Sequence, residues 1–368
     1  MCTSLREFRR GFALSSRPVI AVDLGGTQIR AAIVQPDGTR LARNDRPTPS
    51  DAGPSAVLAA CREAARRARA EAPAGVAAAI AGIGISSPGP VDPARGVVLE
   101  PPNLGTHFRD IAIADELGAS ENLPAFLDRD TNVAALGELA FGAARGVADF
   151  IYLTVSTGIG GAIVSGGELF HGPDGLAGEL GHVPVAMDGP RCGCGGVGHV
   201  EAIAAGVSLA REARVLVASD QSPFLVERAR QHGSADEVSA KDVAEGSLAG
   251  DPACVSLMDR ARRAVATACV GYVNVFNPHR IVIGGAIADA EGDRLLGPIR
   301  DAIASEAFDV LARRVQVVPA ALGGDVSLAG AQPLVMARLA MQNRQSTPTN
   351  ATTTRSDRPV AVPGGTHA

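Results

Sequence analysis

The chain has almost no lysine. Lys241 is the only lysine among its 34 basic residues, and all the others are arginines. A P-loop requires a lysine next to serine or threonine, and a protein kinase requires a strand lysine that contacts the phosphates. The sequence therefore excludes both of these nucleotide-binding classes. Backbone amides, arginine or a metal ion would have to hold any nucleotide phosphate.

Long apolar runs and an excess of basic charge are missing as well. No apolar run reaches the roughly 18 residues of a membrane span, so no membrane partner is expected. The formal net charge of -5 argues against a nucleic-acid partner, which would bind a basic face. The first residues contain arginines but only a short apolar stretch. We therefore expect a cytoplasmic protein without a signal peptide.

Cysteine is also scarce. The six cysteines are too few and too scattered for a disulfide framework. Cys61, Cys254 and Cys269 fall in helical patterns, so we expect them to be small buried apolar groups.

Two other cysteines stand close together, with a histidine on either side. Within eighteen positions the chain supplies two imidazoles and two thiolates, the set that closes a tetrahedral zinc site: His182, Cys192, Cys194 and His199. Glycines between them allow a short loop to fold around one ion. Glu179 and Glu201 lie beside these ligands, so the loop would present carboxylates to a substrate. The alternative is that these cysteines occur by chance in a glycine-rich loop. Four ligand-type residues in so short a stretch make this alternative unfavourable.

The order of predicted elements shows two similar halves. A strand, a Gly-Gly turn and a strand occupy 18–34, and a second glycine-turned hairpin occupies 150–156 and 160–165. Further strands are predicted at 76–85, 124–128, 280–283 and 315–319. Helices are predicted at about 53–72, from Asp130 to about 142, and at 205–217, 240–248, 252–276, 291–306 and 326–341. This α/β pattern predicts two related lobes with a ligand cleft between them.

Glycine turns in the two hairpins offer backbone amides to an anion. The first is Asp23-Leu24-Gly25-Gly26-Thr27 and the second is Thr157-Gly158-Ile159-Gly160-Gly161. Such turns bind phosphate without lysine, and Asp23 would hold Mg²⁺ through water. Either turn alone is equally typical of a plain hairpin, but their matching places in two lobes favour phosphate binding. The second turn leads into a strand rather than a helix, which excludes a dinucleotide fingerprint.

Asp130 follows a predicted strand and begins a helix. Locally, a helix N-cap is the simpler interpretation. The functional alternative is a general base that takes a proton from an attacking hydroxyl during phosphoryl transfer. The phosphate turns on either side of Asp130 in the chain favour the second interpretation.

Seven short motifs in order make the chain resemble the ROK family (repressors, open reading frames and sugar kinases) of the actin-like ATPase superfamily, from about residue 18 to 340. Two are the glycine turns above, and two more are Gly178-Glu179-Leu180-Gly181-His182 and Cys192-x-Cys194-Gly-x-x-Gly198-x-x-Glu201. The others are Pro88-Gly89-Pro90-Val91-Asp92 with Pro102-Asn103-Leu104, Asp130-x-Asn132, and Asn277-Pro-x-x-Ile-Val-Ile-Gly-Gly285.

The resemblance implies an ATP-dependent hexose kinase with two actin-like (ribonuclease H-like) lobes. Asp130 would be the base for a sugar hydroxyl, by similarity the 6-hydroxyl. The expected sugar ligands are Asn103, Arg129, Glu179, His182 and Glu201. The expected ATP ligands, together with Mg²⁺, are Asp23, Gly25, Gly26, Thr27, Thr157, Gly158, Gly284 and Gly285. Zinc would be structural, and the family suggests a homodimer or homotetramer.

The resemblance also implies a division of the chain. We expect an N-terminal extension (1–17), a small lobe (18–128) completed by a C-terminal helix (320–342), a large lobe (129–319) and a disordered tail (343–368). The family's repressor branch carries a DNA-binding domain ahead of the first phosphate motif, and the 22 residues before Asp23 are too few for one.

Departures from the family pattern leave the substrate open. Arg129 stands where the family usually has a sugar-contacting asparagine, His199 replaces a zinc-loop cysteine, and Gln28 replaces a common lysine. Arg129 would alter the choice of sugar, favour an anionic substrate or impair catalysis. Glucose, N-acetylmannosamine, N-acetylglucosamine, fructose and allose stay open as substrates. A sugar-binding protein without kinase activity is the remaining alternative.

Overall fold

The computed structural model describes residues 17–345 except Pro102 and Thr106. The expected N-terminal extension (apart from Arg17) and the expected tail beyond Gln345 therefore lie outside the described residues. The strands are β1 (Val19–Leu24), β2 (Gln28–Val34), β3 (Arg40–Pro47), β4 (Ile83–Ser87), β5 (Val91–Asp92), β6 (Val97–Val98), β7 (Ala125–Arg129), β8 (Phe150–Val155), β9 (Ile159–Ser165), β10 (Glu168–Leu169), β11 (Arg280–Gly284) and β12 (Gln316–Pro319).

The α-helices are α1 (Pro54–Glu71), α2 (Ala74–Ala79), α3 (Ile113–Glu121), α4 (Asp130–Phe141), α5 (Val200–Ala204), α6 (Gly206–Ala218), α7 (Pro223–His232), α8 (Ala240–Leu248), α9 (Pro252–Phe276), α10 (Ala286–Glu291), α11 (Asp293–Glu306), α12 (Asp309–Ala312) and α13 (Val326–Gln345). Short 3-10 turns lie at Ser50–Ala52, Leu180–His182, Ala235–Glu237 and Gly323–Asp325. Among the described helices, none has the length and apolarity needed to cross a bilayer.

Two five-stranded sheets repeat one topology. Their strand orders are β3-β2-β1-β4-β7 and β10-β9-β8-β11-β12. In each sheet the hairpin strands pair antiparallel, and the first hairpin strand then pairs parallel with the strand on its other side. The prediction of two related α/β lobes, each led by a hairpin, is confirmed.

The first sheet is covered on both faces because its hairpin strands are apolar throughout. All six residues of β1 are buried. Alternate side chains point to opposite faces of a strand, so Ile20 and Val22 pack in a core with residues of α1, including Cys61. Val19 and Ala21 pack in a second core with Leu328 and other residues of α13.

The second sheet shows the same alternation. Ile151 and Leu153 of β8 face the largest hydrophobic core, which contains the buried side of α9. Phe150 and Tyr152 face the opposite way, toward α4. Cys254 and Cys269 are buried and free, as expected, and Cys61 is likewise.

Helices α4 and α13 cross at two glycines. A β-carbon at Gly137 would lie 2.7 Å from the carbonyl oxygen of Val326, and one at Gly330 would lie 1.7 Å from that of Val133. Only hydrogen fits at these points, so the two helices approach backbone to backbone. Helix α4, which starts at Asp130, therefore contacts the second sheet on one side and the helix that covers the first sheet on another.

Some predicted boundaries were wrong. The segment 76–79 is helical rather than extended, because it is the end of α2, which starts after Pro73. This helix ends in three successive alanines, and alanine is the strongest helix former. The C-terminal helix begins at Val326, as the element pattern predicted and later than the 320 of the expected lobe division, and it continues to Gln345, past the expected ends at 341 and 342. Strands β3, β5, β6 and β10 and helices α2, α3, α5, α7, α10 and α12 were not predicted.

Candidate active site

Asp130 follows an edge strand of the first sheet and lies close to the second hairpin. Strand β7 ends at Arg129, and Asp130 is the first residue of α4, as the sequence predicted. One oxygen of its carboxylate accepts a hydrogen bond of 2.7 Å from the N–H of Thr131. The second hairpin approaches the same helix end, because a β-carbon at Gly160 would lie 2.8 Å from the methyl group of Thr131.

Burial changes the acidity of Asp130. The protein removes water from this partly buried carboxyl group, which raises its pKa to about 6. The negative charges of Asp23 and Glu179 raise the pKa further, whereas the N–H of Thr131 and the charge of Arg129 lower it. A carboxylate with a pKa close to neutrality is suited to accept a proton and later release it.

The first glycine turn holds Asp23 in an unexpected ion pair. Asp23 is 6% exposed. Its Oδ1 accepts a 2.8 Å hydrogen bond from Ser86, and its Oδ2 accepts bonds of 2.9 and 2.5 Å from Nε and Nη2 of Arg30. Both oxygens thus have protein partners, so Mg²⁺ at Asp23 would have to share the carboxylate with Arg30.

The backbone of the first turn also brings in Asn103. The N–H of Gly25 donates to the carbonyl oxygen of Gln28, which closes the turn. A β-carbon at Gly26 would lie 2.8 Å from the carbonyl oxygen of Asn103. Asn103 and Thr27 are both exposed. The structure therefore places the predicted sugar ligand Asn103 directly against the predicted phosphate turn.

The second glycine turn is tied to Glu201. The N–H of Ile159 donates a 3.0 Å hydrogen bond to Glu201 Oε2, and a β-carbon at Gly158 would lie 3.0 Å from the same oxygen. Thr157 is exposed, and its carbonyl oxygen accepts from the N–H of Val207 in α6. Glu201 thus couples this turn to the loop of histidines and cysteines.

Gly284 is the last residue of β11 and Gly285 follows it, and both lie beside the end of β8. Gly285 has φ +98°, and a β-carbon there would lie 2.6 Å from both Thr154 Oγ1 and the carbonyl oxygen of Val155. Glycine is required at this position on both grounds. The pair is close to the second turn, which also follows β8.

The four predicted metal ligands come together. His182, Cys192, Cys194 and His199 each offer one ligand atom, and these atoms all lie within 4.8 Å of one another. Cys192 Sγ is 3.6 Å from His182 Nδ1, and Cys194 Sγ is 3.2 Å from His199 Nδ1. Bond lengths of tetrahedral zinc give sulfur–nitrogen separations of about 3.6 Å. The donor set and its geometry fit a zinc ion, although burial by itself raises the pKa of the Cys192 thiol.

Glycine backbones make this cluster possible. Gly198 has φ +68°, and a β-carbon there would lie 1.6 Å from the carbonyl oxygen of Ala186. A β-carbon at Gly196 would lie 2.3 Å from the ring of His199. These close approaches fold 183–199 back on itself, with bridges between Pro184 and His199 and between Arg191 and Val197.

Glu179 connects the cluster to Arg129. His182 directs Nδ1 toward Cys192 and Nε2 toward Glu179, whose Oε2 lies 3.9 Å away. The other oxygen of Glu179 accepts from Nη1 of Arg129. The side chain of Glu179 is 52% exposed, whereas that of Arg129 is 9% exposed. Arg129 therefore approaches Glu179 from the interior of the protein.

Two neighbours of the site were missed by sequence analysis. Arg30 has a visible signal: it is a lone charge within the apolar run of β2, and the hairpin register sets it opposite Asp23. His171 has none, because its partner is distant in sequence. His171 Nε2 lies 2.8 Å from Asp128, a fully buried carboxylate that also accepts from Asn132 and from the N–H of Arg129.

Known proteins resemble this chain over most of its length. The ROK family model matches residues 19–338. The glucokinase of Thermotoga maritima is 34% identical over 321 residues, which are 87% of this chain and 98% of that protein. An N-acetylmannosamine kinase of Shigella flexneri is 34% identical over 74% of this chain and 84% of that protein. A ROK family glucokinase from Streptomyces griseus, crystallised with glucose and AMPPNP, superposes with a TM-score of 0.72 at 32% identity and covers 88% of this chain and 99% of that one.

The repeated sheets and the glycine turns define a two-lobe protein of the actin-like ATPase superfamily. Within that superfamily, the chain belongs to the ROK family.

Proposed function

We propose that this protein transfers the terminal phosphoryl group of ATP to a hydroxyl group of a hexose, the 6-hydroxyl of glucose being the first candidate. One observation carries the proposal: Asp130, with a pKa of about 6, stands between the two glycine turns and beside the carboxylates of Asp23 and Glu179. The glucokinases among its relatives, one of them crystallised with glucose and an ATP analogue, support this assignment.

Asp130 is the proposed general base. It accepts the proton of the sugar hydroxyl as that oxygen attacks the terminal phosphorus, and the bond from phosphorus to the departing ADP oxygen breaks. The proton then passes from Asp130 to solvent. A carboxylate whose pKa lies near 6 is deprotonated at neutral pH, yet basic enough to draw the proton in the transition state.

The glycine turns are the proposed phosphate ligands. Backbone amides of Gly26 and Thr27 in one lobe, and of Thr157 and Gly158 in the other, would contact the phosphate oxygens, while the amide of Gly25 closes the first turn. Gly284 and Gly285 would pass beneath the adenosine. Mg²⁺ bound with ATP would supply positive charge near Asp23. A phosphate site without lysine would use another cation, and Arg30 is the candidate because it lies against Asp23.

The remaining polar groups are the proposed sugar ligands. Asn103, Glu179, His182 and Glu201 would hydrogen-bond the other hydroxyls, because a hydroxyl that loses water without gaining a partner costs binding energy. A zinc ion held by His182, Cys192, Cys194 and His199 would brace the loop that presents them. His182 can serve both purposes, since its Nδ1 faces the cluster and its Nε2 faces Glu179.

We propose a small lobe of 18–129 completed by the C-terminal helix, and a large lobe of 130–319, with the cleft between them. Separate hydrophobic cores under the two sheets support this division. Strand β7 of the first sheet ends at Arg129, which supports a boundary after residue 129 rather than after the expected 128. Use of ATP supports a cytoplasmic location, and so do the five cysteines that are free within the part of the chain that the structure describes.

An N-acetylated hexosamine is the second candidate substrate. The observation in its favour is the N-acetylmannosamine kinase relative, which is as similar in identity as the glucokinase but over a smaller share of the chain. A sugar panel separates the two candidates. ADP formation is measured by a coupled assay with glucose, mannose, fructose, N-acetylglucosamine and N-acetylmannosamine.

We expect ADP formation that depends on one of these sugars and is lost in Asp130→Asn. Release of ADP at the same rate with and without every sugar would refute the proposal, and would favour a sugar-binding protein without kinase activity.

A further inference from the structure

The protein itself holds three of the five N–H donors of Arg129. A guanidinium carries five N–H donors. Both hydrogens of Nη2 are used, since this nitrogen donates to the carbonyl oxygens of Gly161 at 3.0 Å and Ala177 at 2.9 Å. Nη1 donates to Glu179. Nε is buried and has no partner among the described residues.

The backbone around Arg129 leaves little space for another position of the side chain. A β-carbon at Gly178, which has φ +92°, would lie 2.6 Å from Nη2. A β-carbon at Gly89 would lie 3.0 Å from Cδ of Arg129. Gly178 thus admits the guanidinium and Gly89 admits its aliphatic stem, so the side chain is fixed along its whole length.

This geometry is unsuitable for bidentate binding of an anionic substrate. Arginine grips a carboxylate with two parallel N–H groups, either the two terminal nitrogens or Nε together with Nη2. Both arrangements need a hydrogen of Nη2, and both of these already point at carbonyl oxygens. The charges around Arg129 also disfavour an anionic substrate. One guanidinium lies among the carboxylates of Asp130, Glu179 and Glu201, so the site is negative overall.

We propose that Arg129 is a positioning residue that fixes the orientation of Glu179 as an acceptor for sugar hydroxyls, and that the site therefore selects uncharged hexoses over sugar acids. This inference rests on the proposed kinase function. One oxygen of Glu179 is bound by Arg129 and the other lies 3.9 Å from His182. Without the arginine, the half-exposed carboxylate would be free to rotate toward water.

The test compares Arg129→Met, Glu179→Gln and the double variant. Methionine keeps a stem against Gly89 and removes the donors. For the preferred hexose, each single variant should raise KM by about 10- to 100-fold, the usual effect of losing a hydrogen bond to a charged group, while kcat changes less than about threefold. The double variant should be little worse than either single one, because both changes remove the same interaction.

Controls address charge and folding. Arg129→Lys keeps the charge without the planar fork and should fall between wild type and Arg129→Met. Arg95→Met removes an arginine whose side chain is 69% exposed and should leave KM unchanged. Glucuronate should be a poor substrate and a poor inhibitor of every variant. Thermal unfolding of wild type, the two single variants and the double variant measures the coupling of the pair without any sugar.

Three results would overturn the inference. The first is an unchanged hexose KM in Arg129→Met. The second is a wild type that prefers glucuronate and loses this preference in Arg129→Met, which would make Arg129 an anion ligand. The third is additive changes of melting temperature in the double variant. If wild type turns over no sugar, the proposed function fails, whereas the unfolding comparison still decides whether Arg129 and Glu179 act as a pair.

Discussion

Replacing Asp130 with asparagine should separate activity from stability. Asparagine has the same shape and can still hydrogen-bond a sugar, but it cannot accept a proton. We expect turnover to fall by about two to four orders of magnitude, the range for loss of a catalytic base. The sugar affinity should change little.

The same substitution should not weaken the fold. Burial raises the pKa of Asp130 from 3.8 to about 6, so the folded protein holds this proton more tightly than the unfolded chain. Ionising the group in the folded state therefore costs stability, at full strength about 3 kcal/mol. Because solvent reaches this partly exposed carboxyl group and screens its charge, we expect ionisation to lower the free energy of unfolding by about 1–2 kcal/mol. The cost is absent below about pH 4 and complete above about pH 6.

Denaturant unfolding of wild type and Asp130→Asn checks this at pH 4 and pH 7. The variant should be the more stable protein at pH 7, and the difference should vanish at pH 4. In parallel, kcat/KM of wild type should decline as the pH falls below about 6, as the base becomes protonated. Asp115→Asn, on the exposed first turn of α3, is the matched control and should retain turnover.

An asparagine variant with wild-type turnover would show that Asp130 is not the base. A variant less stable than wild type at pH 7 would refute the electrostatic argument separately, because it would mean that the charged carboxylate stabilises the fold.

Purified protein should contain about one zinc ion per chain by elemental analysis. Cys194→Ser should lose this zinc ion, and its melting temperature should fall by several degrees. A metal-free wild type with the same melting temperature as the zinc-bound protein would contradict this prediction. Arg30→Met should lower the free energy of unfolding by about 3 kcal/mol in denaturant titrations, because Asp23 is left buried without its cation, and adding Asp23→Asn should recover part of the loss rather than deepen it. Gly330→Ala should cost about 3 kcal/mol or more because its new β-carbon would meet a carbonyl oxygen of α4, whereas Gly271→Ala, in open space on α9, should cost nothing.

Features that depend on short sequence spacing could be predicted from the sequence alone. The two hairpins follow from apolar strands around glycine turns, and their equivalence predicted the repeated sheets. The ligand spacing of His182, Cys192, Cys194 and His199 predicted a cluster that the structure brings together. Asp130 was placed at a strand–helix junction by its neighbours alone. In each case the partners are close in the chain, so few conformations satisfy the pattern.

Tertiary structure decided how the charges are paired. Arg129 lies 50 positions from Glu179, and its other acceptors are the carbonyl oxygens of Gly161 in β9 and of Ala177 in the loop before Glu179. His171 and Asp128 are 43 positions apart. A guanidinium or an imidazole can pair with any acceptor that the fold brings near, so sequence shows that such a charge exists but not which group neutralises it. The sequence thus determined the lobes, the glycine turns and the donor set of the metal cluster, and only the packed structure decided that Arg129 is held by the protein rather than open to a substrate.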